Sequence, residues 1–585
     1  MLTSLGLILL LAPFLNVFFF KDRIKGFLYI FVLVSLFHTA LALLTQTLHV
    51  FTYPVVIIFT IIALFINLFF VYKYRKTKKV LFPHSFNWFL VCALIIVFFQ
   101  LWSVRFFYTG PVSTSIGIIE VERSGYTYPQ FSDEWIGVAL SDYVIESHSL
   151  PTVNPLNNNQ YFSNPLIVFF SVLSELFLLL HLTPLIHYSY FAIASGMLLI
   201  LSIYIVCRSY KMHSFAASIV ILSVPYIING ANIPGIWYLL PYSAGSIFFL
   251  IMLSALRRDE ALIGYSAALL SLIFYPPMLI FVLPTIGVDI FIKRQQKNFK
   301  KYALYSALVA IASLGIVTAA MATKRPLLSI IIKIPSYILR SKGSEGIPSH
   351  AVWNVMPLLV LPFLCIGLFH AFRKKEYVYL VPVGIGSILW IIYMFTAKVF
   401  IIEYPRVVII TSLLCCISIG WGIEYVYKVF SFKNFLRSVQ IGCIILFAML
   451  AVFYPRFNQW QDMVLTTKTL SGYHITKPAA PINGYLTSHD LMLFESIHEK
   501  RFIAPPWKGL VIGVATHNYP LDSKPSTITN SILLYDVFIS ESCKQKVSYA
   551  RRYKIDYVYS SKFDCKGFDY IGSGSEGLQL YKYKR

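Results

Sequence analysis

An acidic pair, Asp133 and Glu134, directly follows Ser132 and precedes apolar residues at helical spacing. This order is typical of a helix start, because the serine hydroxyl caps the first turn and the carboxylates face the positive end of the helix dipole. A carboxylate at the boundary between membrane and water can also accept a proton from a hydroxyl group that attacks a substrate. The pair therefore has two interpretations: a helix start alone, or Asp133 as a general base that Glu134 supports.

Basic residues that could neutralise a leaving phosphate lie in the polar stretches of the chain. Arginine binds phosphate through two parallel N–H bonds, and such contacts stabilise negative charge that develops in a transition state. Arg406 is favoured because it lies where a polar loop meets an apolar run, and Glu403 beside it is a further candidate contact for the substrate. The alternative role of Arg406 is an interfacial anchor that extends to lipid headgroups. The other candidate cations are Arg105, Arg123, Lys324, Arg325, Lys333, Arg340, Lys342 and Lys398.

The composition places these residues in a membrane protein. Of the 585 residues, 57% are hydrophobic and 13% are charged. Soluble domains contain roughly 45–50% apolar and about 25% charged residues, so a soluble globular protein and a disordered chain are both excluded. The net charge of +23 lies in short basic clusters between apolar runs. This pattern indicates a membrane-lipid partner and no nucleic-acid partner.

Apolar runs long enough to cross a bilayer fill most of the chain as far as Tyr454. A span needs about 20 apolar residues, which predicts an all-α polytopic membrane protein with about 13–15 spans. The stretches 108–163 and 323–353 and all residues after 454 lie outside the bilayer. The predicted spans are 3–20, 26–45, 50–72, 86–107, 164–183, 187–207, 213–230, 238–256, 261–276, 277–292, 303–322, 354–372, 377–398, 405–427 and 437–454.

The basic clusters orient these spans, because lysine and arginine concentrate on the cytoplasmic side of a membrane. This rule places both long loops and the C-terminal region on the outer side. It holds throughout only if residues 164–207 make an odd number of crossings, for example because the first piece is re-entrant. Glu175 and His181 in that piece fit a position buried by protein, since ionisable groups are costly in lipid. A local failure of the charge rule is the alternative.

The division that follows is a transmembrane catalytic domain over 1–454 and an extracytoplasmic α/β domain over 455–585. The second region has mixed polarity, and Cys543 and Cys565 are its only cysteines. They form either a disulfide or two buried thiols. Trp507 fits either packing or stacking on a sugar ring. The predicted elements are a helix over 548–554 and strands over 555–559 and 578–583.

The order of these features resembles the GT-C glycosyltransferases. A transmembrane helix precedes an outer loop with Asp133 and Glu134, an interfacial helix, a Leu-Pro-x-x-Asn-Pro turn at 150–155, many spans and an outward α/β region. That superfamily includes protein O-mannosyltransferases, aminoarabinose transferases and catalytic subunits of oligosaccharyltransferases. The resemblance implies a GT-C-like helical bundle and a polyprenyl-phosphate sugar donor. It also implies that Asp133 is essential and that Glu134 either supports it or contacts sugar hydroxyls.

The same resemblance implies an enzyme of the plasma membrane that transfers the sugar to an outer acceptor. A cell-envelope glycan, a lipid and a protein are equally compatible acceptors. Related proteins have a phosphate-binding arginine at a similar position, where an outer loop enters a span, and Arg406 occupies this position here. A later outer loop covers their active site, and 323–353, with glycines at 343 and 346, either does this or is a flexible connector.

Metal and transport functions have weaker support in the residues. His148 and His350 could bind a metal, but single loop histidines are more often polar surface groups. No Asp-x-Asp pair occurs between 108 and 163, which counts against a metal-dependent oligosaccharyltransferase; no cofactor is assigned, and a divalent metal stays open. A transporter or flippase for lipid-linked sugars is the main alternative, although no inverted internal repeat is visible. A third hypothesis is a catalytically inactive relative that acts as a scaffold of an envelope complex.

Overall fold

A computed structural model describes most of the two predicted regions. The predicted span 303–322 and the predicted loop 323–353 lie almost wholly outside the described residues, and so do the candidates Lys324, Arg325, Lys333, Arg340 and Lys342. The described residues are 2–75, 87–114, 117–157, 160–162, 164–227, 236–294, 351–356, 360–429, 436–453, 482–483, 485–523 and 534–584, with isolated positions between 302 and 349.

Apolar helices make up the first region. The first group comprises α1 (Leu2–Leu11), which continues as a 3-10 helix (Ala12–Phe19), α2 (Arg23–Thr47), α3 (Tyr53–Arg75), α4 (Trp88–Phe106), α5 (Ser132–Ser147), α6 (Ile167–Leu179), α7 (Pro184–Ser209), α8 (Ser214–Ile227), α9 (Pro241–Arg257), α10 (Ala261–Phe274) and α11 (Leu279–Lys293). The second comprises α12 (Val352–Val355), α13 (Leu361–Arg373), α14 (Tyr377–Thr396), α15 (Tyr404–Val429) and α16 (Leu436–Phe453).

Seven of the described helical segments are long and apolar enough to cross a membrane. Seven further apolar helices have 10–17 residues. A helix rises about 1.5 Å per residue, so about 20 residues match the roughly 30 Å of hydrocarbon. The described part of the chain is therefore an integral membrane protein that contains both helices long enough to span a membrane and shorter apolar helices. The seven long segments are Leu2–Phe19, Arg23–Thr47, Trp88–Phe106, Pro184–Ser209, Pro276–Lys293, Tyr377–Thr396 and Tyr404–Val429.

Ion pairs gather the basic helix termini at one end of the bundle, which we call the basic end. Arg258 Nε donates to Ser209 Oγ at 2.9 Å and so joins the C-terminal ends of α9 and α7. These contacts put the start of α2 and the ends of α7, α9 and α11 on the same side. The ion pairs are Lys25–Glu260, Arg258–Asp22, Arg257–Glu376 at 2.7 Å and Lys293–Asp259 at 3.1 Å.

The segment 164–207 folds as a short helix followed by a full span. With 13 residues, α6 covers about 20 Å, and His181 just after it contacts the ring of Tyr53 at the start of α3. Glu175 is fully buried and pairs with Nδ1 of His38 at 2.9 Å. Helix α7 then runs to Ser209 at the basic end. These contacts agree with one full crossing over 164–207 and with a Glu175 that protein buries.

The helix after Ser132 is largely enclosed by protein. The apolar spacing predicts a short amphipathic helix on the membrane, and α5 does form there, but it packs between α6, α7 and a helix of the C-terminal region. Trp135, Val138 and Leu140 are completely buried. Its apolar side thus meets neighbouring helices, because the C-terminal region covers the side that would otherwise face the interface.

The C-terminal region is built on a five-stranded mixed sheet in the order β7-β6-β8-β10-β9. The predicted helix over 548–554 overlaps α20 up to Tyr553, the predicted strand over 555–559 overlaps β8 from Tyr557, and the predicted strand over 578–583 covers β10. Cys543 and Cys565 form a disulfide with their Cα atoms 5.3 Å apart. The elements are β6 (Arg501–Ile503), β7 (Tyr519–Pro520), β8 (Tyr557–Ser560), β9 (Phe568–Ser573), β10 (Gln579–Tyr583), α17 (Ser488–Phe494), α18 (Pro506–Thr516), α19 (Tyr535–Ser540) and α20 (Cys543–Tyr553).

A hairpin in the first long loop connects this region to the helical bundle. Strands β1 and β2 pair antiparallel, and β5 adds to β1 in parallel. The ring of Tyr485 stacks on Tyr126 at 5.1 Å, and the Tyr126 hydroxyl accepts a hydrogen bond from Leu486 N at 3.3 Å. The C-terminal region therefore lies at the end of the bundle opposite the basic end, which we call the site end. The strands are β1 (Tyr108–Thr114), β2 (Gly117–Ser124) and β5 (Ile482–Asn483), and a separate pair, β3 (Val153–Asn154) and β4 (Gln160–Tyr161), follows α5.

Candidate active site

Two of the predicted site residues, far apart in sequence, meet at the site end. Asp133 lies in the first turn of α5 and Arg406 in the first turn of α15, and Arg406 Nη2 donates to Asp133 Oδ2 at 3.4 Å. Glu403 Oε2 lies 3.6 Å from Arg406 Nε. The side chains of Asp133 and Glu403 are 41% and 42% exposed, whereas that of Arg406 is 10% exposed. A buried guanidinium is thus flanked by two accessible carboxylates.

An aromatic ring packs against this guanidinium. The Arg406 guanidinium lies 4.4 Å from the ring centroid of Tyr242, in the first turn of α9. A cation over an aromatic face is stabilised without using its N–H donors. The hydrogen bond from Arg406 to Asp133, at 3.4 Å, is longer than the 2.7–2.9 Å typical of charge-assisted bonds, and Glu403 at 3.6 Å is in ion-pair contact only. The donors of Arg406 are therefore positioned to bind a further oxyanion that enters from the open side.

Glu134, next to Asp133, points in the opposite direction into a buried ion pair with Arg105. Arg105 Nη1 donates to Glu134 Oε2 at 2.9 Å, and Nη2 donates to Oε1. The side chains are 1% and 0% exposed. Glu134 Oε2 also accepts the backbone N–H groups of Gln130 at 3.0 Å and Phe131 at 3.3 Å. Glu134 therefore closes the first turn of α5 and fixes it to the end of α4. The N-cap residue is Phe131 and Ser132 is the first residue of the helix, so the predicted cap by the Ser132 hydroxyl is wrong.

The same ion pair holds the segment that leads into α9. Arg105 Nε and Nη2 donate to the carbonyl of Trp237 at 3.0 and 2.6 Å. Leu239 N donates to Glu134 Oε1 at 3.2 Å. Tyr242 follows three residues later, so the ring beneath Arg406 and the turn that carries Asp133 are both fixed to this one pair.

The electrostatics of the site distinguish its carboxylates. Burial raises the pKa of the Glu403 carboxyl above its usual range; Arg406 opposes this rise and the negative charge of Asp133 adds to it. Tyr275, at the end of α10, lies within the electrostatic reach of Glu403, Arg406 and Asp133. The arrangement can accept a proton at one carboxylate while it holds an anion at the guanidinium.

The remaining predicted residues have other surroundings. Arg105 is committed to Glu134 and so is not available to a phosphate. Arg123 lies on β2, and Lys398 is exposed after α14. His148 ends α5 with a left-handed backbone at φ 56°, and His350 lies outside the described residues. Within the described ranges no group of three or more His, Cys, Asp or Glu side chains converges as a metal site would require.

Trp507 and its neighbour Lys508 belong to the interior of the C-terminal region. Trp507 is partly buried against the hydrophobic core. Lys508 Nζ pairs with Asp490 at 2.8 Å and with Glu576 at 2.9 Å. Burial alone would raise the pKa of Asp490, but Lys508 and hydrogen bonds from Tyr559 and a serine lower it to about 2. This network stabilises the region, and Lys508 is not a surface cation for a substrate.

Sequence patterns did not identify several residues that build the site. Tyr242 follows Pro241 at the first position of α9, and that proline is the one local signal, since proline favours helix starts. Trp237 and Leu239 contribute backbone groups, which any residue type supplies. The sequence identifies Arg105 as a charge near the end of a span, but it does not indicate that Arg105 pairs with Glu134, which lies 29 residues away.

The fold is similar to that of known membrane enzymes. No family model and no curated protein sequence matches the chain. The archaeal oligosaccharyltransferase AglB from Archaeoglobus fulgidus, in complex with an inhibitory peptide and a dolichol-phosphate, is 13% identical, with a TM-score of 0.51 over 81% of this chain and 69% of that chain. The oligosaccharyltransferase from Archaeoglobus fulgidus in the apo form is 14% identical, with a TM-score of 0.47 over the same shares.

AglB has the GT-C fold, so the resemblance of this chain to GT-C proteins is confirmed at the level of the fold. The chain is a mostly helical, GT-C-like membrane protein with a C-terminal β-sheet region. Because identity is only 13%, the likeness concerns the fold alone.

Proposed function

We propose that this chain is a membrane glycosyltransferase that moves a sugar from a polyprenyl-phosphate donor to an acceptor on the outer side of the membrane. The observation that carries the proposal is the convergence of Asp133 and Arg406 at 3.4 Å from positions 273 residues apart. Asp133 supplies a carboxylate that can act as a base, and Arg406 supplies a guanidinium that can bind an oxyanion. Transfer of a sugar from a phosphate needs this combination.

In the proposed reaction Asp133 accepts the proton of an acceptor hydroxyl as its oxygen bonds to the anomeric carbon of the sugar. The bond from that carbon to the phosphate oxygen breaks, and its electron pair leaves with the lipid phosphate. Arg406 binds the departing phosphate through its N–H groups. Glu403 lies within reach of the same headgroup, and Glu134 supports Asp133 from the buried side.

The fold supports a lipid-linked donor and is compatible with a protein acceptor. AglB, whose fold this chain shares, was captured with a dolichol-phosphate and an inhibitory peptide. For this chain a glycan or lipid acceptor remains within the proposal. By the charge rule the basic end is cytoplasmic, which puts the site end on the outer side of the plasma membrane. In this proposal 1–454 is the catalytic domain, and 455–585 is an extracytoplasmic domain that covers it.

The structure gives less support to a transporter of lipid-linked sugars. Such a protein would place charged groups near the centre of the bundle, between broken helices. Most ion pairs among the described residues lie at the basic end or the site end instead. His38 and Glu175 are the exception, and they pair with each other.

Sugar transfer from a panel of labelled polyprenyl-phosphate donors tests the proposal in membranes with matched amounts of folded protein. Asp133→Asn should lower transfer at least about 100-fold, because a positioned base contributes about 10²–10⁴ in rate. Arg406→Gln should lower it by about 10²–10³, the usual effect of removing an oxyanion ligand.

Glu146→Gln is the matched control, because it makes the same carboxylate-to-amide change on the same helix, and the Glu146 side chain is 66% exposed. It should leave transfer within about threefold of wild type, as surface changes outside the site do. Full transfer by Asp133→Asn would leave the acidic pair as a helix start only. Wild-type protein that transfers from no donor, but moves lipid-linked sugars across the bilayer, would establish the flippase.

A further inference from the structure

A cleft between α11 and α14 opens at the basic end, remote from Asp133. Its volume is about 430 Å³, and it is lined by Val288, Phe291, Ile292, Arg294, Tyr377 and Val381. Five of the six lining side chains are apolar or aromatic, and the sixth is a cation. The cleft extends six residues along α11, or about 9 Å into the apolar part of the bundle.

Arg294, the cation in this cleft, differs from the neighbouring basic residues, which are paired with carboxylates. Lys293 pairs with Asp289 at 2.9 Å and with Asp259 at 3.1 Å, and Arg257 pairs with Glu376 at 2.7 Å. Arg294 has no carboxylate within ion-pair distance among the residues described; its guanidinium lies 4.3 Å from the ring centroid of Phe291. An anion that pairs with Arg294 would therefore come from outside these residues.

The position of the cleft limits what that anion is. Phe291, Ile292 and Tyr377 are 61%, 48% and 41% exposed on helices that are long and apolar enough to lie in a membrane. An apolar groove that ends at an arginine, with Lys374 and Lys375 just before Tyr377, matches a molecule with a hydrocarbon chain and an anionic head. Basic pockets between transmembrane helices on the cytoplasmic side bind phosphate headgroups of lipids.

We propose that this cleft is a binding site for an anionic phospholipid of the leaflet at the basic end. Its phosphate binds Arg294 through the guanidinium N–H groups, and one acyl chain packs along Val288, Ile292 and Val381. The site is separate from the proposed catalytic centre, so its existence does not depend on the sugar-transfer reaction.

Native mass spectrometry of lipid-depleted full-length protein, titrated with phosphatidylglycerol or phosphatidylcholine, tests the site. Arg294→Gln should weaken the tightest phosphatidylglycerol site about fivefold, the contribution of one basic residue at an anionic membrane surface. Val381→Trp should fill the groove and remove the same site. Arg373→Gln is the matched control, because Arg373 lies over Phe369 outside the cleft, and it should change the affinity less than twofold.

The outcomes separate the possible ligands. Equal loss in Arg294→Gln and Arg373→Gln would overturn the site, because general surface charge would then explain the binding. Glycerol 3-phosphate that displaces the lipid at the same concentration would show a free-phosphate site, and equal affinity for phosphatidylcholine would show an uncharged chain groove. Either result would replace the anionic-lipid assignment. If Val381→Trp does not fold, the two arginine variants alone decide.

Discussion

At the scale of single residues, Asp133 and Glu134 are neighbours with opposite surroundings. Asp133 is 41% exposed beside Arg406, whereas Glu134 is completely buried against Arg105. Successive positions on a helix point about 100° apart, so one acidic pair can supply both a solvent-facing base and a buried anchor. Glu134 therefore fits the helix-start interpretation, and Asp133 is the member of the pair that is accessible for the proposed catalytic role.

Removing the buried carboxylate should cost far more stability than removing an exposed one. Glu134→Ala leaves the Arg105 guanidinium buried without its counter-ion, and breaking a buried pair in this way costs about 3–5 kcal/mol. We expect a clear fall in the thermal unfolding midpoint of the purified protein. Glu403→Ala, which removes a half-exposed partner of Arg406, is the control and should cost less than about 1 kcal/mol. Equal midpoints for the two variants would contradict the anchoring role of Glu134.

At the scale of elements, α5 and α7 approach closely because of one glycine. A Cβ atom on Gly137 would lie 2.5 Å from the hydroxyl oxygen of Tyr188. Tyr188 is fully buried, and its hydroxyl donates to the carbonyl of Leu239 at 3.0 Å. The ring cannot move away without breaking that bond. Leu239 in turn donates its N–H to Glu134, so this packing contact is linked to the site.

Gly137→Ala should therefore destabilise the protein by about 1–3 kcal/mol, the usual cost of overpacking a core. Thermal unfolding measures the cost, and sugar transfer at matched folded amounts should fall as well. Gly384→Ala is the control, because no atom lies within 4 Å of its added Cβ and alanine favours a helix over glycine. A Gly137→Ala protein as stable and as active as wild type would show that the contact is relaxed in solution.

The elements that could be predicted are those whose signal is local. Apolar runs of about 20 residues predicted α2, α4 and α7, and the serine-acid pair predicted the start of α5. The hairpin β1–β2 was missed although its pairing is local, because Gly110 and Pro111 inside β1 are untypical of a strand. Its partner β5 was missed because parallel pairing of strands about 370 residues apart has no local signature. The Arg105–Glu134 pair was missed for the same reason. Arg406 could be proposed, since a cation at the boundary of a span is visible in the sequence.

At the scale of the whole molecule, contacts rather than charge counts divide the chain into two ends. Ion pairs join the start of α2 to the end of α9, and a hydrogen bond joins the end of α9 to the end of α7. Asp133, Arg406 and the C-terminal sheet lie at the other end. The division is independent of the positive-inside rule, which serves only to say which end is cytoplasmic. A measurement of sidedness at one residue of each end therefore orients the entire described structure.

Single cysteines at Lys211 and Lys398, placed in a chain without its other free cysteines, make that measurement. Both residues are exposed, one just after α7 at the basic end and the other just after α14 at the site end. In intact cells a membrane-impermeant maleimide should label Lys398→Cys at once and Lys211→Cys only after permeabilisation. The reverse pattern would show that the protein has the opposite orientation in the membrane. Labelling of both residues in intact cells would contradict the placement of the basic end and the site end on opposite sides. The expected pattern would put Asp133 and Arg406 on the outer side, where a polyprenyl-phosphate sugar and its acceptor can meet.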